Sequence, residues 1–305
     1  MPLPNLIIAG APKCGTSSLF KWLADHPDVC GSSVKETFYL MDKDHPLLKQ
    51  KSNFHDHGLR GYKSYFKDCH EKSHIIFEAT THYMYQKTAR NVLSSLYTNP
   101  NVIFVLRKPS DRIYSSYQYT INNIANLKKE ISFSELISMI KSGATERLVR
   151  NFYSPASAFV LQRDIAYSQY INYLSPWVAS LGRERVHVFL FEEMRQSPHA
   201  FMERLSCCLG IDATFYTKYD FTPRNETYQV TYKGLHRRAR RLARYFPNKG
   251  MGRFLRNMYL SLQDHRRSVA KSREDCEVLA SLAREFEPCN KSLAAAFNLD
   301  LSLWD

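Results

Sequence analysis

Gly10 and Gly15 bracket a short loop, Ala11-Pro12-Lys13-Cys14, and the hydroxyl residues Thr16, Ser17 and Ser18 follow at once. An apolar run, Leu6-Ile7-Ile8, precedes the loop and a helical pattern succeeds it. Strand, glycine loop and helix in that order gather backbone N–H groups and a helix N-terminus around an anion. The nucleoside-triphosphate loop, G-x-x-x-x-G-K-S/T, requires a lysine directly after its second glycine. Here Thr16 holds that position and the loop's lysine is Lys13. The segment is a phosphate cradle with a broken ATP signature.

A second candidate anion site lies downstream. Val102-Ile-Phe-Val-Leu-Arg107 is a β-rich apolar run ending in arginine, with Pro109 set to start a helix and Ser115 eight residues beyond the arginine. A bidentate guanidinium and a hydroxyl on the next helix suit a phosphate dianion. Pro12-Lys13-Cys14-Gly15-Thr16-Ser17-Ser18 resembles the 5′-phosphosulfate loop of sulfotransferases that use 3′-phosphoadenylyl sulfate (PAPS). The Arg107–Ser115 segment resembles the 3′-phosphate segment of the same family. Gly61-Tyr62-Lys-Ser-Tyr65-Phe66, Glu78-Ala-Thr-Thr81, the Tyr167–Tyr170 turn with Leu174, and Val188-Phe-Leu-Phe-Glu-Glu193 look like further stretches of it, in its order. Together they span most of residues 5–215, in a style closer to the heparan-sulfate-type and bacterial members than to the cytosolic phenol and steroid enzymes. Lys233-Gly234 resembles the family's late lysine–glycine loop over the nucleotide, and Tyr170 falls in a cofactor-side stretch.

The resemblance implies sulfuryl transfer by in-line displacement from PAPS to a hydroxyl or amine of a carbohydrate or small-molecule acceptor, releasing adenosine 3′,5′-bisphosphate. Cys14, Gly15, Thr16, Ser17, Ser18, Arg107, Ser115, Tyr170, Lys233 and Gly234 would then hold the nucleotide. Lys13 would follow negative charge from sulfonate to leaving phosphate, as a point-charge ammonium can. Heparan-type members carry a glutamate base shortly after the first helix, and Glu36 in Lys35-Glu36-Thr37-Phe38-Tyr39 occupies the matching place. Lys35 would position the sulfonate or the glutamate. His82 is the competing base. The chemistry requires no metal, and the scattered histidines show no H-E-x-x-H pattern.

Two other readings compete. A P-loop kinase would share the architecture, but the misplaced lysine argues against it. A nucleic-acid or anionic-membrane module would rest on residues 233–273, which carry 13 Lys/Arg against Asp264 of the chain's net +13. That reading leaves the first 200 residues without a purpose, so nucleic acid is not the expected partner. A basic cap over an anionic cofactor or an anionic acceptor accounts for the same charge.

The elements that must position these residues follow from alternating apolar runs and helical patterns. Strands are expected near 5–10, 75–78, 102–107 and 186–191, with a short β-like piece over Val34–Leu40. Residues 42–74 read as loops with one short helix near Tyr62–Phe66. Helices are expected from Thr16 to about His26, over 88–97, from Pro109, over 133–142 and 157–181, up to Gly210, and over 274–297. Strands alternating with helices give an α/β, P-loop-like three-layer fold: a central, mainly parallel sheet flanked by helices, with a helical basic C-terminal region. Both anion segments would lie at carboxyl ends of strands, where such sheets bind ligands. With 305 residues, one domain is expected, a core over about 1–215 and a cap over about 216–305. Aromatic residues Tyr62, Tyr65, Tyr83, Tyr117, Tyr119 and Tyr153 are candidates for an acceptor pocket. The early first strand and the seven cysteines without a C-x-x-C pair point to reduced thiols in a cytoplasmic protein.

Overall fold

The computed structural model describes residues 2–70, 72–128, 130–222 and 271–305. The residues cluster into two compact units. One comprises Met1–Arg112, Tyr167–Asn225 and Phe286–Asp305; the other comprises Ile113–Ala166 and Glu226–Glu285. This division differs from an N-terminal core with a C-terminal cap, because residues 113–166 leave the first unit and 286–305 return to it.

The first unit is built on strands β1 (Leu6–Gly10), β2 (Val29–Gly31), β3 (Ile75–Ala79), β4 (Asn101–Leu106) and β5 (Val186–Leu190). They pair in the order β2-β3-β1-β4-β5, and every pair is parallel. All five residues of β1 and of β3 are buried. Such buried, mainly apolar runs belong in a sheet covered on both faces, which is why pattern alone revealed these strands. β2, three residues long, left no pattern to read.

Helices supply the layers of this unit. α1 (Thr16–Ala24) buries Leu19, Trp22 and Leu23 at helical spacing. α2 spans Phe54–Lys63 and α3 spans Lys87–Ser94. α4 (Pro109–Gln118) starts at its proline, in the first unit. In the other unit, α5 (Phe133–Lys141) begins with a capping box between Ser132 and Glu135, and α6 (Thr145–Val149) and α7 (Pro155–Gln162) follow. The Tyr114 ring there meets Phe133 edge-on at 5.0 Å. α8 (Asp164–Tyr167), α9 (Tyr170–Leu181), α10 (Phe191–Gln196), α11 (Pro198–Leu209) and α12 (Arg273–Phe297) complete the described helices.

Three expectations are corrected. Residues 54–63 are helical, interrupted at Gly58 (φ 51°), where the polar stretch had read as loops. Val34–Leu40 forms no strand: Glu36 and Phe38 are left-handed, with φ of 60° and 52°. Its polar groups bind the end of β3 and the turn after it through both backbone and side chains, without forming a ladder. The cysteines are not all reduced, because Cys30 of β2 is bonded to Cys69.

Candidate active site

At the carboxyl end of β1 the chain turns through Lys13 (φ 70°) and Gly15 (φ 75°) into α1. Gly15 is the N-cap; no side chain caps the helix, and its first turn carries no acidic residue. A helix start leaves N–H groups to be satisfied and a positive dipole end, so this one suits an anion. A side chain at Gly15 would be strained by its φ and would bring a Cβ within 2.8 Å of Phe191, besides striking Met194. Glycine is therefore required by backbone and space together. Thr16 and Ser18 are buried at the helix start. Cys14 is fully buried, and burial pushes its thiol up to about 12, so it offers the loop a backbone amide rather than a thiolate.

Arg107 follows β4 and comes to the same loop. Its Nη1 donates to the Lys13 carbonyl at 3.4 Å, and its guanidinium lies 4.9 Å from the centre of the Phe191 ring. Phe191 thus packs against both the glycine and the arginine. The Tyr170 hydroxyl donates to the Arg107 carbonyl at 2.8 Å, with the ring buried. Tyr170 thereby ties the start of α9 to the end of β4. Glu192 accepts from the Lys108 N–H at 3.0 Å and from Trp304 Nε1 at 2.9 Å, tying α10 to the same junction. Buried Arg112 donates to Ser168 through Nε and Nη2. Ser115 lies in the other unit. Lys233 and Gly234 lie outside the described residues.

Glu36 is presented by the left-handed turn after β2. Its N–H donates to the Ala79 carbonyl at 2.9 Å. Its carboxylate accepts from Thr81 N–H at 3.2 Å, from Thr81 Oγ1 at 3.0 Å and from Lys35 Nζ at 2.7 Å. The glutamate side chain remains a quarter exposed, enough to meet a substrate. Lys49 Nζ stands 3.5 Å from the Glu36 carbonyl and near the rings of Phe38 and Tyr65. Burial lowers the Lys49 pKa, opposed by Glu78 and Glu36.

His82 sits in a 3-10 turn after β3, buried, and its Nδ1 has no hydrogen-bond partner among the described residues. Burial lowers its pKa to about 4, opposed by Glu36 and aided by His45, Arg112 and Lys35. A base so weak is poorly matched to proton removal near neutrality, which favours Glu36. The depressed value also affects stability. The unfolded chain takes up the proton near the usual 6.5 and the folded chain only near 4, so stability falls as pH drops through that window. The cost approaches about 3 kcal/mol below it. Urea midpoints at pH 7 and pH 4 should therefore differ less in His82→Asn than in the native chain.

Thr81 and Lys49, which contact Glu36, and Glu78, which accepts from neighbouring Thr37, had been given no role from the sequence; the fold alone brings them there. Of the expected pocket aromatics, Tyr62, Tyr83 and Tyr117 are core residues, whereas Tyr65 is half-buried beside Lys49 and Tyr153 is exposed.

A family model described as "Sulfotransferase domain" matches residues 3–234. The bifunctional heparan sulfate N-deacetylase/N-sulfotransferase 1 of Caenorhabditis briggsae is 22% identical over 228 residues, covering 72% of this chain and 24% of that protein. The human bifunctional heparan sulfate N-deacetylase/N-sulfotransferase 3 is 24% identical over 211 residues, 68% of this chain and 22% of that protein. The chain thus spans about a quarter of the length of these relatives. The membrane-associated sulfotransferase kil1 of Dictyostelium discoideum is 27% identical over 168 residues, 53% of this chain and 33% of that protein. In fold, the sulfotransferase crystal structure from Alicyclobacillus acidocaldarius superposes with a TM-score of 0.65 at 20% identity, over 100% of this chain and 99% of that one.

Proposed function

Because the chain belongs to the sulfotransferase-domain family, we propose that it moves a sulfuryl group from PAPS to a hydroxyl or amine of a carbohydrate or small-molecule acceptor. The observation that carries this reading is the convergence of two anion-binding elements: Arg107 donates to the carbonyl of Lys13, within the loop that opens α1. The uncapped helix start, the required glycine and the adjacent guanidinium fit a nucleotide bearing phosphates at both the 5′ and 3′ positions. The kinase and nucleic-acid readings are not favoured by the family.

PAPS would supply an activated sulfonate. The loop amides and the hydroxyls of Thr16, Ser17 and Ser18 hold its 5′ end, and Arg107 holds the 3′-phosphate. Lys13 neutralises charge that develops on the leaving phosphate oxygen as the sulfur–oxygen bond breaks. Glu36 takes the proton from the acceptor as the new bond to sulfur forms, and Lys35 and Thr81 keep its carboxylate aimed. These steps ask nothing of a metal. The carbohydrate acceptor is supported by the names of the relatives, which act on heparan sulfate. Incubation with sulfur-labelled PAPS and a panel of sugar, amine and phenol acceptors tests the assignment. Label transferred to an acceptor upholds it; label retained on the nucleotide with every class argues against it.

For compartment, the Cys30–Cys69 bond supports an oxidising setting, against the cytoplasmic expectation. No described helix is long and apolar enough to cross a membrane. The bond closes a sequence separation of 39 residues, a constraint on the unfolded chain worth about 3–4 kcal/mol. A reducing agent should lower the urea midpoint of the native protein and leave a Cys30→Ser/Cys69→Ser variant unmoved.

A further inference from the structure

The four residues that end β3 and follow it, Glu78-Ala79-Thr80-Thr81, meet the dipeptide Glu36-Thr37 with a strict division of labour. Odd-numbered positions serve Glu36: the Ala79 carbonyl takes its N–H, and Thr81 gives N–H and hydroxyl to its carboxylate. Even-numbered positions serve Thr37: its hydroxyl donates to Glu78 Oε2 at 2.6 Å and lies 3.4 Å from Thr80 Oγ1. Glu78 and Ala79 end β3, Thr80 is still extended, and Thr81 opens the 3-10 turn that follows, so the two sets of contacts leave the chain in different directions.

Glu78 is the centre of the buried half. It is fully buried and accepts from Tyr62 at 2.5 Å and from Thr80 at 3.3 Å as well as from Thr37. Burial raises its pKa, opposed by the hydroxyls of Thr37, Tyr62, Tyr83 and Thr80. A carboxyl is costly in a core, and one supplied with several hydroxyl donors forms a network that holds its members in place. The Tyr83 hydroxyl lies 2.9 Å from Thr37 Oγ1 and takes the Leu40 N–H at 3.0 Å; the Tyr39 N–H donates to Thr37 Oγ1 at 3.2 Å. Thr37 is therefore pinned from four directions. It is the residue between the two left-handed positions, Glu36 and Phe38. Left-handed backbone at residues with side chains persists only where surroundings over-determine it, and such turns collect at functional sites.

We infer that Glu78 and Thr37 are positioning residues for the reaction: the buried carboxyl grips Thr37, and this grip holds the turn that presents the Glu36 carboxylate. The inference rests on the reading of Glu36 as the base. It requires that Thr37 and Glu78 act on the rate only through Glu36.

A double-mutant cycle tests this. Thr37→Val keeps the shape and removes the hydroxyl; it should lower kcat by about tenfold to a hundredfold, the range for a slightly misplaced group. Affinity for adenosine 3′,5′-bisphosphate, read by calorimetry, should stay within about twofold, and Thr37→Ser should recover most of the rate. With Glu36 already replaced by Gln, adding Thr37→Val should change kcat by less than about twofold, because the group it positions is gone. Glu78→Gln should behave as Thr37→Val does; should that buried change prevent folding, the Thr37 variants carry the test. A native rate in Thr37→Val, or a full multiplication of the two losses, overturns the positioning role while leaving Glu36 as base. A native rate in Glu36→Gln overturns the base assignment itself.

Discussion

Replacing Lys13 with alanine is expected to reduce turnover by about a hundredfold to a thousandfold, the scale on which losing one group that stabilises transition-state charge is felt. The residue sits in the left-handed turn before α1, where its carbonyl receives Arg107. Those backbone contacts survive the substitution, so folding should be preserved and nucleotide affinity should fall less than the rate. The reason is differential: the charge on the 5′-phosphate oxygen grows as the bond to sulfur breaks, so an ammonium beside it contributes more to the transition state than to the bound substrate. Single-turnover rates and calorimetric affinity for adenosine 3′,5′-bisphosphate, measured on the same preparation, separate the two effects. A variant that loses binding and rate in equal proportion would make Lys13 an anchor only.

Replacing Glu36 with glutamine is expected to cut kcat by about a hundredfold or more, since general bases contribute on that scale. Glutamine keeps the shape and can still accept from Thr81, so the turn should stay in place. What is lost is a carboxylate able to take the proton. His82 cannot take over that role near neutrality, its pKa being held near 4 by burial. A native rate in Glu36→Gln would move the base elsewhere.

The two largest pieces of the site were legible because each is local in sequence. The loop from Gly10 to Ser18 announces itself by glycine spacing, and Arg107 by closing an apolar run just before a proline. Strands β1 and β4 were legible as runs of buried apolar residues, and β3 and β5 as mainly apolar, β-rich segments broken by Glu78 and His187. Glu36 was placed by resemblance alone, and its surroundings were read wrongly as a strand. The cause is that its turn is specified by side chains some forty residues away, Glu78 and Thr81, whose hydrogen bonds leave no periodic trace. Lys49 was hidden for the same reason, inside a polar stretch that had read as loop. The Cys30–Cys69 bond joins positions whose proximity depends on the course of the chain after β2 and α2, so counting cysteines did not reveal it. Tyr170 was singled out by resemblance alone, and its buried hydroxyl reaches the Arg107 carbonyl across 63 positions of sequence, a contact that leaves no local trace.

The central claim is that the Lys13 loop and Arg107 grip one doubly phosphorylated adenosine. Calorimetric titration with adenosine 3′,5′-bisphosphate in the presence of a chelator tests it most directly, run on the native protein and on Arg107→Ala. The account predicts one site per chain, no requirement for magnesium, and a loss in Arg107→Ala of at least about tenfold, as expected when a charged hydrogen-bond donor to a phosphate is removed. Adenosine 2′,5′-bisphosphate should bind the native protein more weakly, and Arg107→Ala should narrow that gap. Equal affinity for the two isomers, or an Arg107→Ala protein that binds as the native one does, would contradict it.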